Sequence, residues 1–135
     1  FCDFDRTYAF GSIGEETKKA YRVAYEATEA GFKAAQVGNT TSDIFNAMNN
    51  VLQKGGALGN TVGRLGHGLG MQLTEWPSNT ANDNTKLEPG VVLTLEPGMA
   101  FLPGKEMVHE ENIVITEDGP EWLSIRAAEE LPIIQ

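Results

Sequence analysis

Apolar positions along the chain follow a helical period over one third of its length and a strand period over most of the rest. Ala20, Val23, Ala24, Ala27, Gly31, Ala34 and Ala35 fall on one stripe, the spacing of an amphipathic helix. Ser12 and Gly14 are possible start signals, and Glu15 and Glu16 would lie in the first turn, where the helix dipole favours acids. Val37-Gly38-Asn39 ends this element. Its small residues predict close packing against a sheet or another helix, with Tyr21, Tyr25 and Phe32 as packing residues. Thr41-Ser42-Asp43 caps a second helix whose stripe is Ile44, Ala47, Met48, Val51 and Leu52, and Gly55-Gly56 stops it. Neither helix has the spacing of a catalytic or metal motif, so both are assigned to the scaffold.

Residues 1–10 alternate imperfectly and are rich in aromatic side chains, which predicts a strand ending at Gly11 with Asp3 and Asp5 on one face. An edge strand with a solvated acidic face, and Arg6 as partner, fits the same letters. Ala57 to Leu65 reads as a loop into a short strand. An alternating run from Met71 to Pro77 can enter a sheet, and 77–86 reads as an exposed loop. Val91 to Leu95 is an almost unbroken apolar strand that delivers Glu96 at its end, so Glu96 needs a partner. After a turn at Leu102-Pro103-Gly104-Lys105, Met107 to Thr116 forms the next strand, with Glu110 on the face of Val108, Asn112 and Val114 and with His109 and Glu111 on the other. Trp122 to Ile125 is a further possible strand.

The chain has 135 residues, 41% of them hydrophobic, enough for one core and one domain. Acids outnumber bases 19 to 10, and the net charge of −9 argues against a nucleic-acid partner. Cys2 is the only cysteine and has no internal disulfide partner; no run is long and apolar enough to cross a membrane, so a reducing, cytoplasmic setting is the default expectation. Two features change this plain picture. His67 is held among Gly66, Gly68 and Gly70, whose missing side chains allow close approach. Carboxylates at Asp3, Asp5, Glu96, Glu110 and Glu111 sit in or beside strand-like apolar runs. Burying several ionised carboxylates costs several kcal/mol each unless a cation or donors compensate, which points to a shared metal.

In order, Asp3-Phe4-Asp5-Arg6-Thr7-Tyr8-Ala9-Phe10-Gly11, Gly66-His67-Gly68-Leu69-Gly70, Leu93-Thr94-Leu95-Glu96-Pro97-Gly98 and the stretch from Glu110 to Gly119 resemble the motif series of the methionine aminopeptidase, prolidase and creatinase superfamily of metallopeptidases. The resemblance implies an α+β "pita-bread" fold, incomplete here, with an antiparallel sheet covered by two helices. Residues 1–135 would form the C-terminal part of its catalytic domain. It further implies Asp3, His67, Glu96 and Glu110 as ligands of one or two divalent ions (Mn, Co, Fe or Zn), with His67 and Glu96 catalytic and Glu96 also serving as general base. Thr74 and Glu75 would contact a small peptide or amide substrate.

Two departures qualify the resemblance. The family's other metal-binding aspartate lies on a strand before the one carrying Asp3, so the expectation is a missing N-terminal half or a partner chain, with a homodimer as the assembly. Thr74 stands where the family's peptidases carry a histidine that donates to the substrate carbonyl. A non-peptidase relative, such as a creatinase-like amidinohydrolase or a lyase, is therefore a second reading, and a non-catalytic interaction domain of the same fold a third.

Overall fold

The computed structural model describes residues 1–60 and 63–135; the middle of the predicted 57–65 loop lies outside them. Helix α1 spans Glu15–Ala34 with Gly14 as its N-cap, and helix α2 spans Thr41–Gly55. The cap of the second helix lies one residue earlier than expected. Thr40 is the N-cap, and its hydroxyl and the Asp43 carboxylate bond reciprocally to each other's backbone amides. That capping box satisfies two amides that otherwise lack partners. Gly56 closes α2 in the left-handed conformation, at φ 96°, as a helix-ending glycine does.

The strands are β1 Ala9–Phe10, β2 His67–Gly68, β3 Glu75–Ser78, β4 Val92–Leu95, β5 Gly98–Leu102, β6 Lys105–Val108, β7 Glu111–Thr116, β8 Gly119–Trp122 and β9 Ile133–Ile134. The main sheet is antiparallel with order β3-β2-β4-β7-β8; β5 and β6 form a separate hairpin, and β1 pairs with β9 in parallel. The core joins the helices to this sheet. Ala20, Tyr21, Val23, Ala24, Ala27, Ile44, Met48 and Leu52 pack with Leu93, Leu95, Ile113 and Ile115, all nearly or fully buried. Gly31 is small for a reason: a side chain there would run into Met48.

Several expected elements differ. The strand predicted over residues 1–10 is reduced to Ala9–Phe10, because residues 1–8 have no backbone ladder and are held by side chains instead. The single strand predicted from Met107 to Thr116 is broken at His109-Glu110. Its first part pairs with β5 and its second with β4, so one alternating run serves two sheets. Residues 70–74 form a bent loop rather than entering the sheet, and β3 begins only at Glu75. The predicted exposed loop at 77–86 starts late: Pro77 lies in β3, and Asn79 is fully buried.

Phe1, Tyr8, Phe10 and Ile125 are largely exposed, and the β1–β9 pair presents Phe10, Ile133 and Ile134 outward. The apolar stripe of α1, in contrast, is enclosed by α2 and the sheet. No helix among the described residues is long and apolar enough to cross a membrane.

Candidate metal centre

The site forms where the main sheet meets the irregular N-terminal segment. His67 starts β2, and the backbones around it leave no room for side chains beside it. Gly66 has φ 126°, and a Cβ there would strike the Thr94 carbonyl; a Cβ on Gly68 would come within 2.5 Å of the Trp76 carbonyl oxygen. The glycines are thus required by the approach of β3 and β4 on either side.

The imidazole is fixed in orientation. Its Nδ1 lies 2.9 Å from the Gly68 carbonyl oxygen, and since a carbonyl can only accept, the proton of the neutral ring sits on Nδ1 and leaves the Nε2 lone pair free. Nε2 faces acids, at 3.6 Å from Asp3 Oδ2 and 3.8 Å from Glu96 Oε2. Donor atoms of Asp3, His67 and Glu110 all lie within 4.8 Å of one another, a group that could hold a metal ion. Glu96 adjoins this triad through His67 and does not share that mutual distance with all three.

The electrostatics are those of an acid cluster short of positive charge. Burial pushes the Glu110 carboxyl up to about 8, with Glu96, Asp3 and Asp5 adding to the rise and Arg64 opposing it. Burial likewise raises Glu96; His67 and Arg64 pull it back, while Asp3 and Asp5 reinforce the shift. Three carboxylates and an imidazole with a free lone pair are oxygen and nitrogen donors suited to a divalent first-row ion. Positive charge is what the cluster lacks, so the donor set fits such an ion.

Supporting residues that sequence reasoning passed over complete the site. Thr94 Oγ1 accepts the His67 amide at 3.0 Å, and Asn79 Nδ2 donates to the Thr94 carbonyl at 3.0 Å. A threonine inside the apolar run Val91–Leu95 was the available signal, since a buried hydroxyl needs a partner. Asn112, also buried, bonds the backbone of Asp3, and Arg6 reaches Glu111.

The two remaining expected residues are placed differently. Thr74 is exposed on the bent loop, and its hydroxyl makes no hydrogen bond among the described residues. The Glu75 carboxylate accepts the Gln72 amide at 2.6 Å and so closes that loop from within. His109 does face away from Glu110, as alternation required: its Nδ1 is 2.7 Å from Thr28 Oγ1 under the rings of Tyr21 and Tyr25.

Comparison with known proteins identifies relatives of the chain and of its fold. The profile of metallopeptidase family M24 matches residues 1–118. The Xaa-Pro dipeptidase of Pyrococcus furiosus is 32% identical over 123 residues, which are 90% of this chain and 35% of that protein. A crystal structure of a dipeptidase from Pyrococcus horikoshii OT3 superposes with a TM-score of 0.90 at 32% identity, covering 98% of this chain and 37% of its own. The prolidase from Pyrococcus furiosus superposes at 0.87 with 29% identity, covering 94% of this chain and 38% of its own. The chain therefore spans little more than a third of the length of these relatives.

Proposed function

Because the chain belongs to metallopeptidase family M24, we propose that residues 1–135 are the C-terminal part of a pita-bread catalytic domain whose intact protein hydrolyses a C–N bond in a small peptide substrate of the Xaa-Pro kind. The observation that carries this reading is the meeting of Asp3, His67 and Glu110 within 4.8 Å, with Glu96 beside them. Asp3, His67, Glu96 and Glu110 would hold the ion or ions. A bound divalent cation supplies Lewis acidity, which lowers the pKa of water at the site and polarises a carbonyl.

The chain's own residues supply the rest. Glu96, whose burial raises its affinity for a proton, takes the proton that the attacking water loses and returns it to the leaving amine. The Gly68 carbonyl keeps the His67 ring from turning, so Nε2 stays directed at the carboxylates. Asp3 and Glu110 bring their carboxylates within 4.8 Å of each other and of His67 and define where charge is held. The exposed aromatic and aliphatic groups on β1, β9 and Ile125 are where the remainder of the protein, or a second copy, would pack.

Thr74 supports a second reading. With threonine at that position, the carbonyl-oxygen donor of the family's peptidases is replaced, and losing such a donor typically costs ~2.7–4 kcal/mol of transition-state stabilisation. A substrate other than an ordinary dipeptide, as in a creatinase-like amidinohydrolase, follows from that deficit.

The deciding experiment is on the intact protein: metal content after loading with Mn²⁺, then turnover of a Xaa-Pro dipeptide and of creatine. The peptidase reading expects bound metal and dipeptide cleavage that disappears in Glu96→Gln, and absence of both would overturn it. Under the peptidase reading Thr74→His should raise kcat more than it changes KM, because the new hydrogen bond strengthens as negative charge grows on the oxygen. Rapid dipeptide cleavage by the unaltered protein would remove the second reading.

A further inference from the structure

His67 and Glu96 belong to segments that the main sheet joins at only one point. The register between β2 and β4 is the single pair Gly68 and Leu93, which sets His67 opposite Thr94, and Glu96 lies one residue past the end of β4. In a regular antiparallel pair, facing residues exchange backbone bonds at alternate positions. Here the His67 amide donates to the Thr94 side chain, at 3.0 Å from Oγ1, and the Thr94 carbonyl is taken by Asn79 Nδ2 at 3.0 Å. Two side chains thus fill the place where the ladder would have continued.

Asn79, the residue after β3, is fully buried. Its amide donates to the Gly66 carbonyl at 3.0 Å and its carbonyl accepts the Leu65 amide at 2.9 Å, so residues 65–66 are bracketed at both ends. The Leu65 carbonyl in turn accepts the Glu96 amide at 3.0 Å. A Cβ on Gly66 would come within 2.7 Å of Asn79 Nδ2, so the glycine before His67 makes room for this side chain as well as for the Thr94 carbonyl. Because a carbonyl only accepts, the group facing it is the NH₂ of the carboxamide. Asn79 Oδ1 then has no hydrogen-bond partner among the described residues. A buried unpaired acceptor is costly, so what this position gains from asparagine is the donor.

We propose that Asn79 is a positioning residue for the metal centre, fixing through Thr94 and Leu65 how His67 and Glu96 stand to each other, an inference that rests on the metal reading of the site. Asn79 bonds to neither ligand side chain. It acts on the backbones that carry them: its side chain holds the strand leading to Glu96, and its main chain holds the two residues leading to His67. With both backbones set beforehand, an incoming ion does not have to order them. Contacts outside the ligands commonly change metal affinity by about 10- to 100-fold.

The test uses the intact protein, with Mn²⁺ as the probe in calorimetric titration and hydrogen exchange at the His67 and Glu96 amides as a readout that needs no metal. Asn79→Leu keeps the approximate shape and removes the donor; Asn79→Ser, whose hydroxyl is too short to replace the carboxamide, is a second variant should the first fail to fold. Leu87→Ala is the control, since Leu87 is a core residue at the end of the same loop and makes no contact with the ligand-bearing backbones through its side chain's polarity or charge. Expected in the Asn79 variants are faster exchange at His67 and Glu96 and Mn²⁺ binding weakened by about 10- to 100-fold. Leu87→Ala should lower the urea midpoint and leave Mn²⁺ affinity unchanged. Unchanged affinity or unchanged exchange in the Asn79 variants would overturn the proposal, as would an equal loss of affinity in Leu87→Ala, which would show that binding only follows stability. Unaltered protein that binds no Mn²⁺ would overturn the metal reading and with it the role of Asn79 there. Exchange in the metal-free variants tells the two failures apart, because it reports whether Asn79 holds the two segments whatever the ion does.

Discussion

Glu110 and Glu111 are consecutive, nearly or fully buried, and chemically identical, yet they sit in opposite surroundings. Glu111 faces Arg6, Arg126, the Ser124 hydroxyl and the Ala127 amide, so its charge is met from several directions. Glu110 faces Asp3, Asp5 and Glu96, with Arg64 pulling its pKa down. A buried carboxylate with its own donors is part of the architecture, whereas a buried carboxylate among others of its kind is a site waiting for positive charge. The break between β6 and β7 separates them: Glu110 lies in the break and faces the chemistry, while Glu111 opens β7 and faces the scaffold.

The largest expected effect is on the scaffold side. Glu111→Ala would leave Arg6 and Arg126 partly buried without their shared partner, at a cost of about 3–5 kcal/mol, readable as a lowered urea midpoint. A loss under about 1 kcal/mol would mean that Glu111 does not hold the two arginines together. Glu110→Gln should behave oppositely. The metal-free fold holds Glu110 protonated, and a glutamine is neutral without taking up that proton, so the metal-free protein stays as stable or becomes more stable, while Mn²⁺ binding falls by more than the roughly 100-fold that outer contacts cost. Equal destabilisation by the two substitutions would erase the contrast.

Acidity sharpens the comparison. The metal-free folded protein keeps a proton on Glu110 up to about pH 8, whereas the unfolded chain releases it near 4.5. The Glu110 contribution to stability is therefore full below pH 4.5 and declines as pH rises toward 8, and Mn²⁺ affinity should climb over the same interval as the competing proton leaves. His109 acts in the other direction. Burial holds its ring down at about 4 against an ordinary 6.5, so its contribution is full above 6.5 and is lost as pH falls toward 4. Chemical denaturation of metal-free protein across pH 4–8 checks both slopes, and Glu110→Gln should abolish only the alkaline one.

The smallest effect expected is at Thr28. Its hydroxyl bonds His109 Nδ1 and the Ala24 carbonyl in the buried face of α1. Thr28→Val should cost about 1–2 kcal/mol in unfolding free energy and leave Mn²⁺ affinity untouched, because His109 lies on the scaffold face. A matching loss of metal affinity would show that the two faces are not independent.

Much of the fold was legible from local pattern. The stripes from Ala20 to Ala35 and from Ile44 to Leu52 gave both helices within a few residues, and the run Val91–Leu95 gave β4 with Glu96 at its end. The motif order pointed to the family, and alternation separated Glu110 from His109 and Glu111. These are properties of neighbours in the chain, where helical and extended periods and cap residues act over a few positions.

Tertiary structure decided the rest. It limited the strand expected over residues 1–10 to Ala9–Phe10, split the run from Met107 to Thr116 between two sheets, and matched Thr94 to the His67 amide and Asn112 to Asp3. It also chose which of two adjacent glutamates receives arginines. Each of these depends on a partner tens of residues away, and the same aromatic-rich or alternating letters satisfy a ladder or a side-chain clamp equally well. Only when the sheet has brought those distant groups within hydrogen-bond reach does one pairing cost less than the others.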